Sequence, residues 1–355
     1  MTDVLRVDPT RPDLDAIARA AICLREGGLV AFPTETVYGL GAHALDRDAV
    51  RRLFDAKGRP ATDPVIVHVD SVDRLEPLVL EVPDVARTLA ALFWPGPLTL
   101  VMRRSRTVPD EVTAGLDTVA VRVPAHPVAA ALLATAGIPV AAPSANLFSR
   151  PSPTQAVHVL DDLQGRISLI VDGGPTMLGI ESTVLDLSRP TPTVLRPGAT
   201  TIEMLQQVVP DVTLRAPSHS EAGPAASPGL LPKHYSPRAP LTLYEGTTAD
   251  VLQHMIRDAA TELVGGHSIG ILAAEEDWYA FERPGALNLR LVELRYLGSE
   301  HDLAAIASRL YSALRELDAA GVSRILVRAF STDEGLGIAI HDRLTRAAAG
   351  RVVRV

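Results

Sequence analysis

Apolar and polar positions along this chain fall into two alternating registers. Short runs rich in aliphatic and β-branched residues occur at GLVAF (28–32), VIVHV (65–69), LTLVM (98–102), TVAVRVP (118–124), PVAAPSA (139–145), ISLIVDGG (167–174), STVLDL (182–187) and TVLRP (193–197). Their length and composition predict buried strands. Between them, apolar positions recur with helical spacing over about 12–26, 47–56, 83–93, 127–136 and 201–208. Several strands follow one another with no helix between, which predicts a mixed sheet over residues 1–209 and not a strictly parallel one. Residues 210–240 break the pattern: PDVTLRAPSHSEAGPAASPGLLPKHYSPRAP is rich in Pro, Ser, Ala and Gly and reads as a linker or long loop. Periodicity returns over 241–355, where HSIGILA (267–273) and SRILVRAF (323–330) read as strands. Helices are expected there at about 247–262, 301–319 and 336–348, giving a second, smaller α/β domain.

Composition narrows the picture. The hydrophobic fraction is 47% but aromatics are only 4%, so the expected cores are aliphatic. The formal net charge of −8 argues against a broad nucleic-acid-binding surface. The single cysteine, Cys23, excludes an intramolecular disulfide and a cysteine-ligated zinc cluster, and its apolar neighbours Ala21, Ile22 and Leu24 point to core packing. The N-terminal MTDVLRVDPT lacks the basic-then-apolar pattern of a signal peptide. No apolar run approaches the ~18 residues of a membrane span, so a cytoplasmic protein with no membrane contact is expected. Of 34 basic residues only two are lysine, Lys57 and Lys233. Their placement is either chance or a sign of positions where a compact ammonium serves and a planar fork does not.

Polar residues cluster where predicted strands end, the usual location of ligands in α/β sheets. FPTETVYGLGAHA (32–44) brings Thr34, Glu35, Thr36 and Tyr38 beside two glycines and reads as a ligand-approaching loop. In FDAKGRP (54–60), Lys57 and Arg59 leave a helix end together. They either complement the helix terminus or clamp an anion such as a phosphate chain. His68 is a histidine within a strand. Arg122 is a charge inside an apolar strand and needs a partner, an Asp or Glu of the fold or a ligand carboxylate. APSANLFSRPSP (142–153) supplies Ser144, Asn146, Ser149 and Ser152, short groups suited to phosphate or ribose. GIESTVLDL (179–187) adds Glu181, Ser182 and Thr183, and LRPGAT (195–200) puts Arg196 at a strand end. Trp94-Pro95-Gly96-Pro97 reads as an architectural turn. There is no phosphate-binding GxxxxGK[ST] signature and no GxSxG.

Taken in order, FPTETVYGLGA, KGRP, PVIVHV, WPGPLTLV, AGLDTVAVRVPAHP, APSANLFSRPSPT, ESTVLD, LRPG and SPGLLPKHYSP resemble the threonylcarbamoyl-AMP synthase family, and more narrowly its long, two-domain form. The resemblance implies an α/β fold class: an N-terminal twisted mixed sheet with helices (YrdC-like, 1–209), a linker acting as active-site lid (210–240), and a Rossmann-like accessory domain (241–355). It implies an enzyme, a nucleotidyltransferase that combines L-threonine, bicarbonate and ATP into threonylcarbamoyl-AMP and pyrophosphate, with Mg2+ neutralising phosphate charge. The product feeds the threonylcarbamoyl-adenosine modification of tRNA, completed by a separate transferase complex. Carried onto this sequence, Thr34, His68, Arg122 and Ser182 would hold threonine, with Arg122 on its carboxylate and the backbone at Ala142 helping. Lys57, Arg59, Ser144, Ser152 and Arg196 would hold the phosphates and ribose of ATP, with Thr118 nearby. Lys57 and Arg59 would be catalytic, and no metal-ligating side chain is assigned. Tyr235 resembles the family's tyrosine that closes over the nucleotide, which makes 225–238, with Lys233, the lid.

The sequence departs from the family pattern at ATDP (61–64), where Asp63 replaces an asparagine of many relatives. A carboxylate there repels phosphate or recruits a metal. An RNA-binding module of the same fold is the alternative reading, with direct RNA contact left open. A carbamoyl transferase component ranks last, because this chain has no cysteine-rich segment.

Overall fold

A computed structural model of the chain describes residues 1–215, 234–283, 287, 289–330 and 334–355. Lys233 and most of the expected lid lie outside the described residues. The chain divides into two compact units, Met1–Phe148 with Ser152–Leu231, and Ser149–Pro151 with Pro232–Val355.

In the first unit the elements run β1 (Asp3–Arg6), α1 (Leu14–Arg25), β2 (Val30–Pro33), β3 (Tyr38–His43), α2 (Arg47–Lys57), β4 (Ile66–His68), α3 (Asp84–Phe93), β5 (Leu98–Arg103), α4 (Asp110–Thr113), β6 (Thr118–Arg122), α5 (Pro127–Ala136), β7 (Val140–Ala141), α6 (Ala156–Leu163), β8 (Leu169–Asp172), β9 (Thr183–Asp186), β10 (Thr193–Arg196), α7 (Ile202–Gln206) and β11 (Thr213–Leu214). Among the described residues they form an eleven-stranded sheet ordered β1-β8-β2-β3-β7-β4-β6-β5-β9-β10-β11. It is mixed, as the missing helices between strands predict. β4 runs parallel to β6 and β5 parallel to β9, while β5 is antiparallel to β6.

The second unit contains β12 (Leu241–Glu245), α8 (Thr248–Val264), β13 (Ile269–Ala273), α9 (Trp278–Glu282), β14 (Val292–Tyr296), α10 (Leu303–Ala319), β15 (Arg324–Arg328), α11 (Gly335–Ala348) and β16 (Val352–Arg354). Among the described residues its five strands are all parallel in the order β14-β13-β15-β12-β16. A helix follows each of the first four strands, which is the layered pattern of a Rossmann-like α/β unit.

The structure corrects one expectation that bears on the site. Residues 38–43 are not loop but strand β3, antiparallel to β2 with Val30 opposite Gly41 and Phe32 opposite Gly39. Its glycines serve close packing instead of turning. A Cβ at Gly41 would meet Val140 at 2.9 Å and Phe32 at 3.0 Å. Only the segment between β2 and β3 is a turn, and it carries Thr34, Glu35 and Thr36. The strands missed from the sequence, among them β1, β14 and β16, are mostly short sheet edges with mixed polarity, where burial on both faces does not impose an apolar run.

Candidate active site

Strand register decides which side chains share a face, because successive residues point to opposite sides and directly paired residues to the same side. On β4 and β6, Ile66 pairs with Ala120 and His68 with Arg122. On β5, Val101 pairs with Ala120 and Arg103 with Thr118. On β9, Val184 pairs with Thr99, and on β10 Arg196 pairs with Val184. One face of the sheet therefore displays His68, Arg122, Thr99, Val184 and Arg196, with Ile66, Ala120 and Val101 behind them. Ile66, Val101, Ala120, Val184 and Leu195 form a small aliphatic patch of their own. Val65, Val67, Leu100, Val121 and Leu185, which point the other way, belong to the main core.

Polar groups border this patch. Thr34 closes the β2–β3 turn: its hydroxyl donates to the Val37 carbonyl at 2.7 Å and lies 2.7 Å from Thr36 Oγ1. Arg122 finds its charged partner in the same turn. Its Nη2 donates to Glu35 Oε1 at 2.6 Å, Nη1 to Thr36 Oγ1 at 3.0 Å and Nε to the Gly96 carbonyl at 3.1 Å. Glu35 Oε2 accepts from Ala125 N–H at 3.0 Å, so both carboxylate oxygens are satisfied. The turn at 94–97 is thus architectural, as its sequence predicts, and it also orients Arg122. A carboxylate of the fold is thus one partner of Arg122.

His68 is buried, with no hydrogen bond to its Nδ1, and its ring lies edge-on to Phe32. Burial and the neighbouring Arg122 charge hold it neutral, with its pKa lowered to about 3. Ala142 N–H donates to the Ile66 carbonyl at 2.8 Å, pinning the chain after β7 against β4. Ser182 Oγ lies 2.8 Å from Thr99 Oγ1, and Arg196 donates to the Ser182 carbonyl through Nε at 3.1 Å and Nη2 at 2.9 Å. Ser152 is buried and hydrogen-bonds Glu181. Thr118 sits on the same face as Arg122 but at the other end of β6, about 13 Å away at ~3.3 Å per residue.

Lys57 ends α2. Asp46 caps the start of that helix, accepting from the N–H groups of Asp48 and Ala49, and Gly58 closes its end in the left-handed conformation at φ 62. Lys57 is only 1% exposed, and its Nζ donates to the carbonyls of Ser144 and Asn146, each at 2.5 Å. Its ammonium therefore joins α2 to the loop after β7. Arg59 turns back on its own loop, donating to the carbonyls of Asp63 at 3.0 Å and Pro64 at 2.7 Å. Its Nη2 also pairs with Asp63 Oδ2 at 3.0 Å. Asp63 is fully buried. Burial pushes its carboxyl above the ordinary carboxylate range, against the opposing pull of Arg59, Lys57 and Arg196. Three cations from α2, the following loop and β10 thus act on one buried carboxylate.

Of the sequence-derived residues of the first unit, His68, Arg122 and Arg196 share one sheet face, with Thr118 at its far edge. Ser182 is joined to it through Thr99 and Arg196, while Lys57 ends a helix whose apolar side packs on the main core. Tyr235 belongs to the second unit. There its backbone is left-handed at φ 58, its ring stacks on Tyr311 at 5.6 Å, and the Arg343 guanidinium lies 5.2 Å from the ring centre. Sequence reading missed Thr99 and left the partners Glu35 and Glu181 unassigned. The available signal for Thr99 was a hydroxyl within the apolar run LTLVM. Among the described residues, no group of three or more His, Cys, Asp or Glu is placed to hold a metal ion. No described helix is long and apolar enough to cross a membrane.

The sheet face thus carries an aliphatic strip bordered by the Arg122–Glu35 pair and by the hydroxyls of Thr99 and Ser182. Comparison with known proteins shows the family. Residues 23–198 match the family model described as "Telomere recombination", and residues 200–349 match the one described as "Threonylcarbamoyl-AMP synthase, C-terminal domain". The threonylcarbamoyl-AMP synthase of Bacillus subtilis is 44% identical over 95% of this chain and 94% of its own length. That of Pyrococcus abyssi is 43% identical over 95% of each. The crystal structure of P. abyssi Sua5 complexed with L-threonine superposes with a TM-score of 0.91 at 42% identity, covering all of both chains. The chain belongs to the threonylcarbamoyl-AMP synthase family.

Proposed function

We propose that this chain condenses L-threonine, bicarbonate and ATP into threonylcarbamoyl-AMP and pyrophosphate. It would act in the cytoplasm as a nucleotidyltransferase supplying a separate transferase complex that modifies tRNA. The observation that carries the reading is the wholly buried Asp63 carboxylate paired with Arg59 at 3.0 Å, in the field of Lys57 and Arg196, together with an aliphatic sheet face that displays Arg122 and Arg196. Adenosine lies along Ile66, Ala120 and Leu195 toward Thr118, and the phosphates meet the three cations with Ser144 and Ser152. Threonine lies at the other border, near Thr34, His68, the Ala142 backbone and Ser182, with its carboxylate on the outer edge of the Arg122 guanidinium. Glu35 holds that guanidinium in place.

The chemistry needs no protein nucleophile. Threonine carboxylated on its amine is a carbamate. One carbamate oxygen bonds to the α-phosphorus of ATP as the bond from that phosphorus to the bridging oxygen breaks, and pyrophosphate leaves with those electrons. The protein positions the two reactants and stabilises charge building on the phosphate oxygens. Neutral His68 suits a place beside a substrate ammonium or amine, since it adds no like charge. When bound, Mg2+ would spread phosphate charge, and it would arrive on the nucleotide. Purified protein should release pyrophosphate from ATP only when threonine and bicarbonate are both present. Release that is indifferent to threonine refutes the reading.

A further inference from the structure

The Asp63 carboxylate is placed unlike an ordinary ion-pair member. It is wholly buried, yet neither of its oxygens accepts a hydrogen bond, and its contact to Arg59 is an ion pair at 3.0 Å. The Arg59 guanidinium gives hydrogen bonds to backbone carbonyls instead. Lys57 and Arg196 are the other charged groups acting on the carboxylate. A buried carboxylate without hydrogen bonds is costly for folding. The three cations around it are those the proposed function assigns to phosphate.

We propose that Asp63 is a built-in competitor for the nucleotide: its carboxylate is the counter-ion of the Lys57–Arg59–Arg196 cluster when no nucleotide is bound, and it takes up a proton from solvent when phosphate arrives. This inference rests on reading the cluster as the phosphate site. Two anions in one water-poor cluster repel, and each raises the proton affinity of the other. The carboxyl group yields because burial already disfavours its charged form, whereas phosphate oxygens stay ionised. Protonation forms an O–H bond on one Asp63 oxygen and turns it from acceptor into donor, so that it can hydrogen-bond to a phosphate oxygen. Nucleotide binding is then coupled to proton uptake and weakens as pH rises. Asp63 would set ATP affinity without taking part in the chemical step.

The test is calorimetric titration of the full chain with ATP and Mg2+, without threonine, from pH 6.5 to 8.5 in buffers of different ionisation heat. One linked proton gives up to about tenfold in affinity per pH unit. The expected results are affinity falling by about tenfold or more across that range, net proton uptake on binding, and an Asp63→Asn variant that binds about tenfold tighter at pH 8.5 with no uptake. Asp63→Glu, which keeps the charge, should keep the pH dependence. Wild-type binding without proton uptake overturns the proposal. So does an Asp63→Asn variant that binds ATP no better than wild type; weaker binding would make the carboxylate a ligand of the nucleotide's metal. Lys57→Ala separates the two levels. If it loses ATP binding while Asp63→Asn gains nothing, only this inference fails. If it binds ATP normally, the phosphate reading fails as well.

Discussion

The first unit buries two arginine–carboxylate pairs that look alike in sequence and differ in how completely they are satisfied. In Arg122–Glu35, both carboxylate oxygens are hydrogen-bonded, one to the guanidinium and one to Ala125 N–H, and the guanidinium also reaches Thr36 and Gly96. In Arg59–Asp63, the arginine is held by backbone carbonyls and the carboxylate has only its ion-pair contact. The first pair is a finished piece of structure that aims a guanidinium. The second leaves its anion exchangeable. Charge and burial are similar in both; what separates them is hydrogen-bond completion.

That contrast can be broken by experiment. The largest effect should follow loss of the satisfied pair. Glu35→Ala leaves Arg122 buried without its carboxylate and should cost about 3–5 kcal/mol of stability. Denaturant unfolding followed through Trp94, the tryptophan of the first unit, would measure it. A cost near zero would erase the distinction between the pairs. Lys57→Ala, on the exchangeable side, should lower kcat/KM for ATP by about a hundred- to a thousandfold, on the order of 3–4 kcal/mol of transition-state stabilisation, with the Trp94 unfolding transition retained.

Acid should act next. The folded pKa of His68, about 3, lies below its ordinary 6.5, so the unfolded chain takes up the proton first. Stability then falls as pH drops from 6.5 toward 3, by about 2 kcal/mol between pH 7 and pH 5 for this group alone. His126, also lowered by burial, contributes with the same sign. A His68→Asn variant should flatten the profile. Asp63 has the opposite sign. Its folded pKa is raised, so its contribution declines as pH rises from the ordinary carboxylate value. The smallest effect is expected at Ser182→Ala, which removes the hydrogen bond to Thr99 and should cost about 1 kcal/mol of stability.

Much of the site was legible because its residues interrupt apolar strands. Arg122 in TVAVRVP and His68 in VIVHV stand out against valines, and the helix-end pair Lys57 and Arg59 is visible from the glycine between them. The strands that carry these residues were legible for the same reason: they are central, buried on both faces, and continuously apolar. What escaped was pairwise. Nothing in the local sequence shows that Glu35 meets Arg122, that Lys57 reaches the carbonyls of Ser144 and Asn146, or that Arg196 joins the cluster. Those contacts depend on strand order. β3 escaped because glycine in a strand pattern reads as a turn until the neighbouring Phe32 and Val140 are known to press against it.

The order of strands also bears on how the protein is born. β1 and β2 both wait for β8, which supplies the neighbour of Asp3–Arg6 and of Val30–Ala31. The cation cluster stays incomplete until β10 delivers Arg196. At ordinary elongation rates the ribosome needs on the order of ten seconds to make the chain between Lys57 and Arg196. For most of that interval, until β8 is made, the apolar edge of β2 that later pairs with it lies open on the nascent chain, and such edges invite pairing with other chains. Productive synthesis therefore depends on shielding a half-built sheet, and a message that stalls before β8 yields a fragment prone to aggregate.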